Sequence, residues 1–167
     1  MYIITLILLV FIVFISGAWR HWEKYLSTLL YGSSMNLLSY VIMGSDRLWF
    51  HVPSTLWKDI TDTFVLLPSI LLLYLVFFPT EKKKKWTYYL KWVFVSLLFE
   101  WLLVRFGLFG YNKKYHFWME LPFYFIMYGF IKLHTKRPLL TYGLSILIIA
   151  FLIIFFDYSL EKSYLER

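Results

Sequence analysis

Six long apolar stretches recur along the chain and are separated by short polar or charged segments. Each stretch is close to the ~20 residues that an α-helix needs to cross a hydrocarbon core ~30 Å thick. The pattern predicts an all-α fold, a polytopic transmembrane helix bundle of about six spans that forms one domain over residues 1–167. The predicted spans are residues 2–19, 26–43, 63–78, 86–109, 117–133 and 139–156.

The composition agrees with a membrane protein. Hydrophobic residues make up 60% of the chain, aromatic residues 23% and charged residues only 16%, whereas a soluble domain is about half apolar and about a quarter charged. The net charge of +7 predicts no nucleic-acid partner here, because the basic residues lie in short segments between apolar stretches. Cysteine is absent, which excludes disulfides and thiol chemistry.

The basic segments predict an orientation in the membrane. Those at Arg20 and Lys24, at 82–85 and at 132–137 fall on one side of the predicted bundle, which is richer in lysine and arginine than the other. The positive-inside rule places that side in the cytoplasm and both termini outside. Four consecutive lysines are the expected contacts for anionic lipid head groups: Lys82, Lys83, Lys84 and Lys85.

Glu100 is an ionisable residue near the middle of the predicted span 86–109. A charge at that depth costs roughly 2.5–3.5 kcal/mol or more, so it requires a partner, a cavity or a function. Its predicted neighbours are Asn36 and Ser33, on a small and polar stripe of the second span, Ser96 on its own helix, and a tyrosine or a water molecule. Burial without a basic partner favours the neutral form of such a carboxyl.

Arg105 lies on the same predicted span but is turned about 140° away from Glu100. In an antiparallel hairpin of the fourth and fifth spans, Arg105 lies level with Glu120, and we therefore expect an Arg105–Glu120 ion pair near the outer surface. Two interpretations of Glu100 stay open. It is either a structural carboxyl that ties helices together or a ligand- or proton-binding group in a polar pocket whose rim is formed by Arg105 and Glu120.

His116 and Glu120 are spaced i,i+4 and so can face one ligand. Three further potential ligands are predicted on the same side: His51, Asp46 and Asp62. This is a weak metal signal, and no metal or other cofactor is predicted. No nucleophile elbow, phosphate-binding loop or zinc-protease motif is present, so we expect a protein that is not an enzyme. An intramembrane enzyme that uses Glu100 or Glu120 with His116 is the least favoured alternative.

Two further predictions concern the loop before the third span and a proline inside that span. Residues 44–62 are predicted to form a long loop whose aromatic residues lie in the membrane interface. Pro68, inside the span 63–78, removes a backbone hydrogen bond and predicts a kink.

The pair Glu100–Trp101, the stretch Gly110-x4-Tyr115-x2-Trp118 and the segment KLHTKRPLL at 132–140 resemble those of a known family. Its members are uncharacterised, small, six-span integral membrane proteins of spore-forming Gram-positive bacteria. The resemblance covers most of the chain and implies a multi-pass protein of the bacterial plasma membrane. It implies no activity, because none is assigned to the family.

The preferred functional hypothesis is binding or permeation of a small solute or proton through a polar intramembrane pocket around Glu100. The alternative is a structural or accessory subunit that packs against a larger membrane partner, or against its own copy. Small-residue stripes and abundant aromatic residues fit that alternative equally well.

Overall fold

The computed structural model describes residues 2–44, 47–112 and 114–158. Within them, six helices run alternately up and down, which confirms the predicted helical architecture. The helices are α1 (Tyr2–Ile15), α2 (Trp22–Met43), α3 (Leu56–Val76), α4 (Lys82–Arg105), α5 (Glu120–His134) and α6 (Pro138–Phe155). Two short antiparallel strands, β1 (Trp49–His51) and β2 (Phe109–Tyr111), pair at one end of the bundle. We call this the ribbon end, and we call the opposite end, with Lys24, Lys85 and Lys132, the lysine-rich end.

Three of these helices are long and apolar enough to cross a membrane: α3, α4 and α6. Helices α1 and α2 qualify as a pair bent by 71°, which raises the number of candidate spans to four if the pair is one broken span. The six predicted spans are therefore not all supported. With 14 residues in α1 and 15 in α5, each of these helices extends only about 21–23 Å, less than a hydrocarbon core ~30 Å thick.

The first helix stops earlier than predicted because of Gly17. This residue has φ 71°, a left-handed conformation that glycine adopts without steric cost, and its N–H donates to the Phe14 carbonyl at 3.1 Å. A 3₁₀ turn over Ala18–His21 then leads into α2. The predicted span 2–19 is thus a helix to Ile15 followed by a sharp bend.

The prediction of a loop over residues 44–62 is wrong in two places. Strand β1 occupies part of it, and α3 already begins at Leu56, after Thr55, whose side chain accepts from the Lys58 N–H. Three-residue strands are too short to show an alternating pattern. A π-helical segment, Asp62–Leu66, lies just before Pro68, where the sequence predicts a kink. Proline has no N–H to donate to the carbonyl one turn earlier.

The core surrounds α3, which contacts α1 and α2 and also reaches α4 and α5. Leu71 and Tyr74 of α3 are fully buried, and the Tyr74 ring lies 4.8 Å from that of Tyr128 in α5. Helix α2 approaches α3 closely at Gly32, where an added Cβ would lie 2.6 Å from Leu71 Cδ1. The small-residue stripe of α2 is therefore a packing surface against α3.

We predict that Gly32→Ala destabilises the protein by about 1–3 kcal/mol, because the new methyl group overlaps the end of the Leu71 side chain, which is fully buried and must shift within a packed core. Gly143→Ala is the matched control: this glycine is also helical, but no atom lies within 4 Å of its added Cβ. We expect the control to be neutral or to gain about 0.4–1 kcal/mol. Thermal unfolding in the same detergent measures both, and equal effects would contradict close packing at Gly32.

Candidate functional site

Two glutamates on adjacent helices form the centre of the site. Glu100, in the last third of α4, is 4% exposed, and Glu120, the first residue of α5, is 3% exposed. Their carboxyl groups lie close enough to interact with each other. Since two buried carboxylates repel, a proton on one of them lowers the energy of the pair. The pair is thus a candidate proton-binding site between two helices.

Three tyrosines surround the pair. Tyr111 donates to Glu100 Oε1 at 2.6 Å, and Tyr124 donates to Glu100 Oε2 at 2.5 Å. Tyr115 lies close to Glu120 and interacts with it. In the segment between α4 and α5, burial together with the nearby carboxyl raises the pKa of both Tyr111 and Tyr115. Both hydroxyls therefore remain protonated donors, and with two donors on Glu100 the negative charge is best accommodated there.

The site arises from two stripes with a spacing of four residues. Trp92, Ser96 and Glu100 lie along one face of α4, and Tyr124 and Tyr128 continue the face of α5 that begins at Glu120. Ser96 and Tyr128 bond through their hydroxyls at 2.7 Å, and the Tyr124 and Tyr128 rings stack. The facing stripes are a sequence signal that could have identified these tyrosines.

A cavity of about 170 Å³ opens at the ribbon end, close to the pair. Its lining includes Asn112, Lys114 and Phe156. The Phe156 ring lies 6.0 Å from that of Tyr115, which lies close to Glu120. One layer of tyrosine thus separates the cavity from the carboxyl pair.

Aromatic packing closes the opposite direction. Below Ser96, the Tyr74 ring lies within 6 Å of the rings of Tyr88, Trp92 and Tyr128, and the Tyr88 hydroxyl donates to the Tyr74 carbonyl at 3.2 Å. Tyr74 and Tyr128 are fully buried. The site is therefore approached from the ribbon end rather than from the lysine-rich end.

Ser33 and Asn36, predicted as neighbours of Glu100, belong instead to a second polar cluster. Ser33 donates to the Thr63 carbonyl and Asn36 to Thr63 Oγ1, each at 2.8 Å. Beside them, Arg47 forms an ion pair with Asp59 at 2.8 Å. The π-helical segment of α3 places Thr63 toward α2, a register that the sequence pattern does not reveal.

The ribbon connects the two clusters. On β1, His51 bonds Asp62 of α3, and Asp62 also accepts from the Tyr2 hydroxyl at 2.7 Å. On β2, Tyr111 pairs with Trp49 of β1 and donates to Glu100. Each strand of the ribbon thus contacts a buried carboxyl group, β1 that of Asp62 and β2 that of Glu100.

The predicted Arg105–Glu120 ion pair does not form among the residues that the structure describes. Arg105 is exposed, whereas Glu120 is buried and lies close to Glu100 and Tyr115. Helix α4 ends at Arg105, so this side chain extends to the surface instead of facing α5. Ser96, predicted as a neighbour one turn away, reaches the site through Tyr128 and Tyr124.

The candidate metal ligands do not converge. Within the described ranges, no group of three or more His, Asp or Glu side chains has the geometry to hold a metal ion. His116 is exposed, His51 bonds Asp62, and Asp46 lies outside the described residues.

No protein-family model, curated protein or solved structure matches this chain. We therefore describe the class of protein from its structure alone: it is a helical protein with three to four candidate membrane spans and a buried, tyrosine-bonded pair of glutamates.

We predict that Tyr111→Phe and Tyr124→Phe each lower the free energy of unfolding by about 1–3 kcal/mol, because each leaves Glu100 with one donor fewer. Tyr142→Phe is the control, since Tyr142 is an exposed tyrosine of α6 and its hydroxyl makes no hydrogen bond among the described residues. Thermal or denaturant unfolding compares the three. The role of the donors is refuted if Tyr142→Phe is as destabilising as the other two.

Proposed function

We propose that this chain is a non-enzymatic, multi-pass protein of the bacterial plasma membrane that binds a small solute together with a proton at the Glu100–Glu120 pair. The observation on which this proposal depends is the proximity of two buried carboxyl groups, Glu100 and Glu120, on adjacent helices. Such a pair binds and releases a proton more readily than an isolated buried carboxyl, because the partner that stays ionised is already stabilised by tyrosine donors.

The proton is not restricted to one side chain. Tyr111 and Tyr124 favour negative charge on Glu100, while the position of Glu120 in the first turn of α5 favours negative charge there by about 0.3–1 kcal/mol. Two environments that each accept the charge suit a group that changes protonation during function. A purely structural pair has no need for this balance.

The solute enters from the ribbon end in this proposal. The cavity there contains the Asn112 amide and the charged side chains Lys114 and Asp157, which suit a small polar molecule. Movement of Tyr115 opens the cavity to Glu120. Because the aromatic packing around Tyr74 closes the other direction, the proposal favours binding and exchange from one side over an open pore.

We predict that Glu100→Gln and Glu120→Gln abolish the shared-proton signal in pH-difference infrared spectra of the membrane-reconstituted protein. Each variant leaves a single carboxyl, while the glutamine still offers a carbonyl oxygen and an amide to its neighbours, so the fold is retained. Glu23→Gln, at an exposed position of the lysine-rich end, is the matched control and leaves the spectra unchanged.

Native mass spectrometry of the same variants tests the solute. A small molecule bound to the wild type is expected to bind about tenfold to a hundredfold more weakly to the two site variants, the loss typical of a hydrogen bond to a charged group. A pH-insensitive carboxyl signal and a bare wild-type protein would refute the proposal. A stoichiometric protein partner in all variants would favour the accessory-subunit alternative.

A further inference from the structure

The lysine-rich end brings together four lysines that the sequence separates widely. Lys24 lies in the first turn of α2, Lys85 in the first turn of α4, and Lys132 in the last turn of α5, with Lys136 just beyond it. Side-chain contacts bring these helix ends together: the Phe78 ring lies 5.6 Å from that of Tyr88, one turn from Lys85, and Thr28 Oγ1, one turn from Lys24, lies 3.0 Å from His134 Nδ1. The Lys132 ammonium lies over the same Phe78 ring, and its charge interacts with those of the other three lysines. We refer to these residues, Lys24, Lys85, Lys132 and Lys136, as the lysine cluster.

No acidic residue balances this cluster within the described part of the chain. The acids at this end are Glu23 and Glu81; Glu81 pairs with Lys84 at 2.9 Å, and none of the four cluster lysines forms an ion pair. Like charges gathered at one end of a bundle repel one another, and an anion bound among them relieves this repulsion. The arrangement therefore points to a ligand from outside the chain.

Two cluster members are held in place rather than solvated freely. The Lys132 ammonium lies over the Phe78 ring, with Nζ 4.0 Å from the ring centre, a contact that stabilises a cation and fixes its position. Lys85 is half-buried, whereas Lys82, Lys83 and Lys84 of the same run are exposed. Only one residue of the four-lysine run thus belongs to the cluster.

We propose that the lysine cluster is a binding site for one phosphate group, presented to it at the membrane surface by an anionic phospholipid. Lysine ammonium groups bind phosphate as point charges, and basic residues beside a membrane attract anionic lipid head groups. This site lies at the opposite end of the bundle from Glu100 and Glu120, and it does not depend on the function proposed for them. It replaces a diffuse attraction by the lysine run with a defined site that includes only Lys85 from that run.

A pair of charge-matched variants distinguishes a defined site at the lysine cluster from a diffuse attraction that follows total charge. Lys24→Gln/Lys136→Gln removes two exposed members of the cluster, and Lys82→Gln/Lys83→Gln removes two exposed lysines of the run outside it. Both change the net charge equally, and neither replaces a buried side chain. Native mass spectrometry from mixed micelles of phosphatidylglycerol and phosphatidylcholine measures how tightly each form retains lipid.

We expect the wild type to retain one phosphatidylglycerol in preference to phosphatidylcholine. The cluster variant should bind it at least about tenfold more weakly, because two nearby cations are lost, whereas the run variant should stay within about threefold of the wild type. Equal weakening in both variants would mean that affinity follows total charge, and it would overturn the proposal. Equal retention of the two lipids, or no loss in the cluster variant, would overturn it as well.

Inorganic phosphate added to the same samples distinguishes the source of the group. If it leaves the bound lipid in place, the site takes its phosphate from the membrane, as proposed. Displacement of the lipid at millimolar-range phosphate, together with phosphate adducts on the wild type but not on the cluster variant, would overturn the membrane source and assign the cluster to a soluble phosphate compound.

Discussion

Two tyrosine hydroxyls donate hydrogen bonds to Glu100, and these bonds join three parts of the chain: Glu100 in α4, Tyr111 in β2 and Tyr124 in α5. Water is scarce at membrane depth, so a carboxyl without donors there costs several kcal/mol. The arrangement of α4 against α5 is therefore favourable only when β2 folds back over the end of α4. The buried carboxyl of Glu120 is likewise stabilised by its neighbours Glu100 and Tyr115.

The strand pairing extends this constraint to the rest of the bundle. His51 on β1 bonds Asp62 of α3, so the ribbon is fastened to two buried carboxyls on different helices. Because β1 and β2 are hydrogen-bonded to each other, a shift of either strand moves both attachments. The ribbon end is thus the part of the molecule where the cavity beside Asn112, the position of Tyr111 and the packing of α3 depend on one another, while the other end is closed by aromatic rings.

Part of this site was predictable from the sequence. Glu100 was identifiable because an acidic residue in a long apolar stretch is costly wherever the chain folds. A tyrosine was among its predicted neighbours, but which tyrosines bond it was not predictable, because an antiparallel hairpin fixes which residues share a depth but not which face each helix presents. Depth alone favoured Arg105 for Glu120, whereas the rotation of α4 directs Glu100 toward α5 and leaves Arg105 at the surface. Likewise, the π-helical segment changes the register of α3 and draws Asn36 to Thr63.

The sequence by itself determined the helical class, the alternating direction of the helices and the segregation of lysines to one end, because apolar length and loop charge act locally along the chain. Only the tertiary structure decided how many helices are long enough to cross a membrane, since the bend after Ile15 and the late start of α5 depend on local backbone geometry. It also decided that the polar residues form two clusters, with Glu120 and three tyrosines at Glu100. Side-chain partners across helices depend on helix rotation and register, which a one-dimensional pattern leaves undetermined.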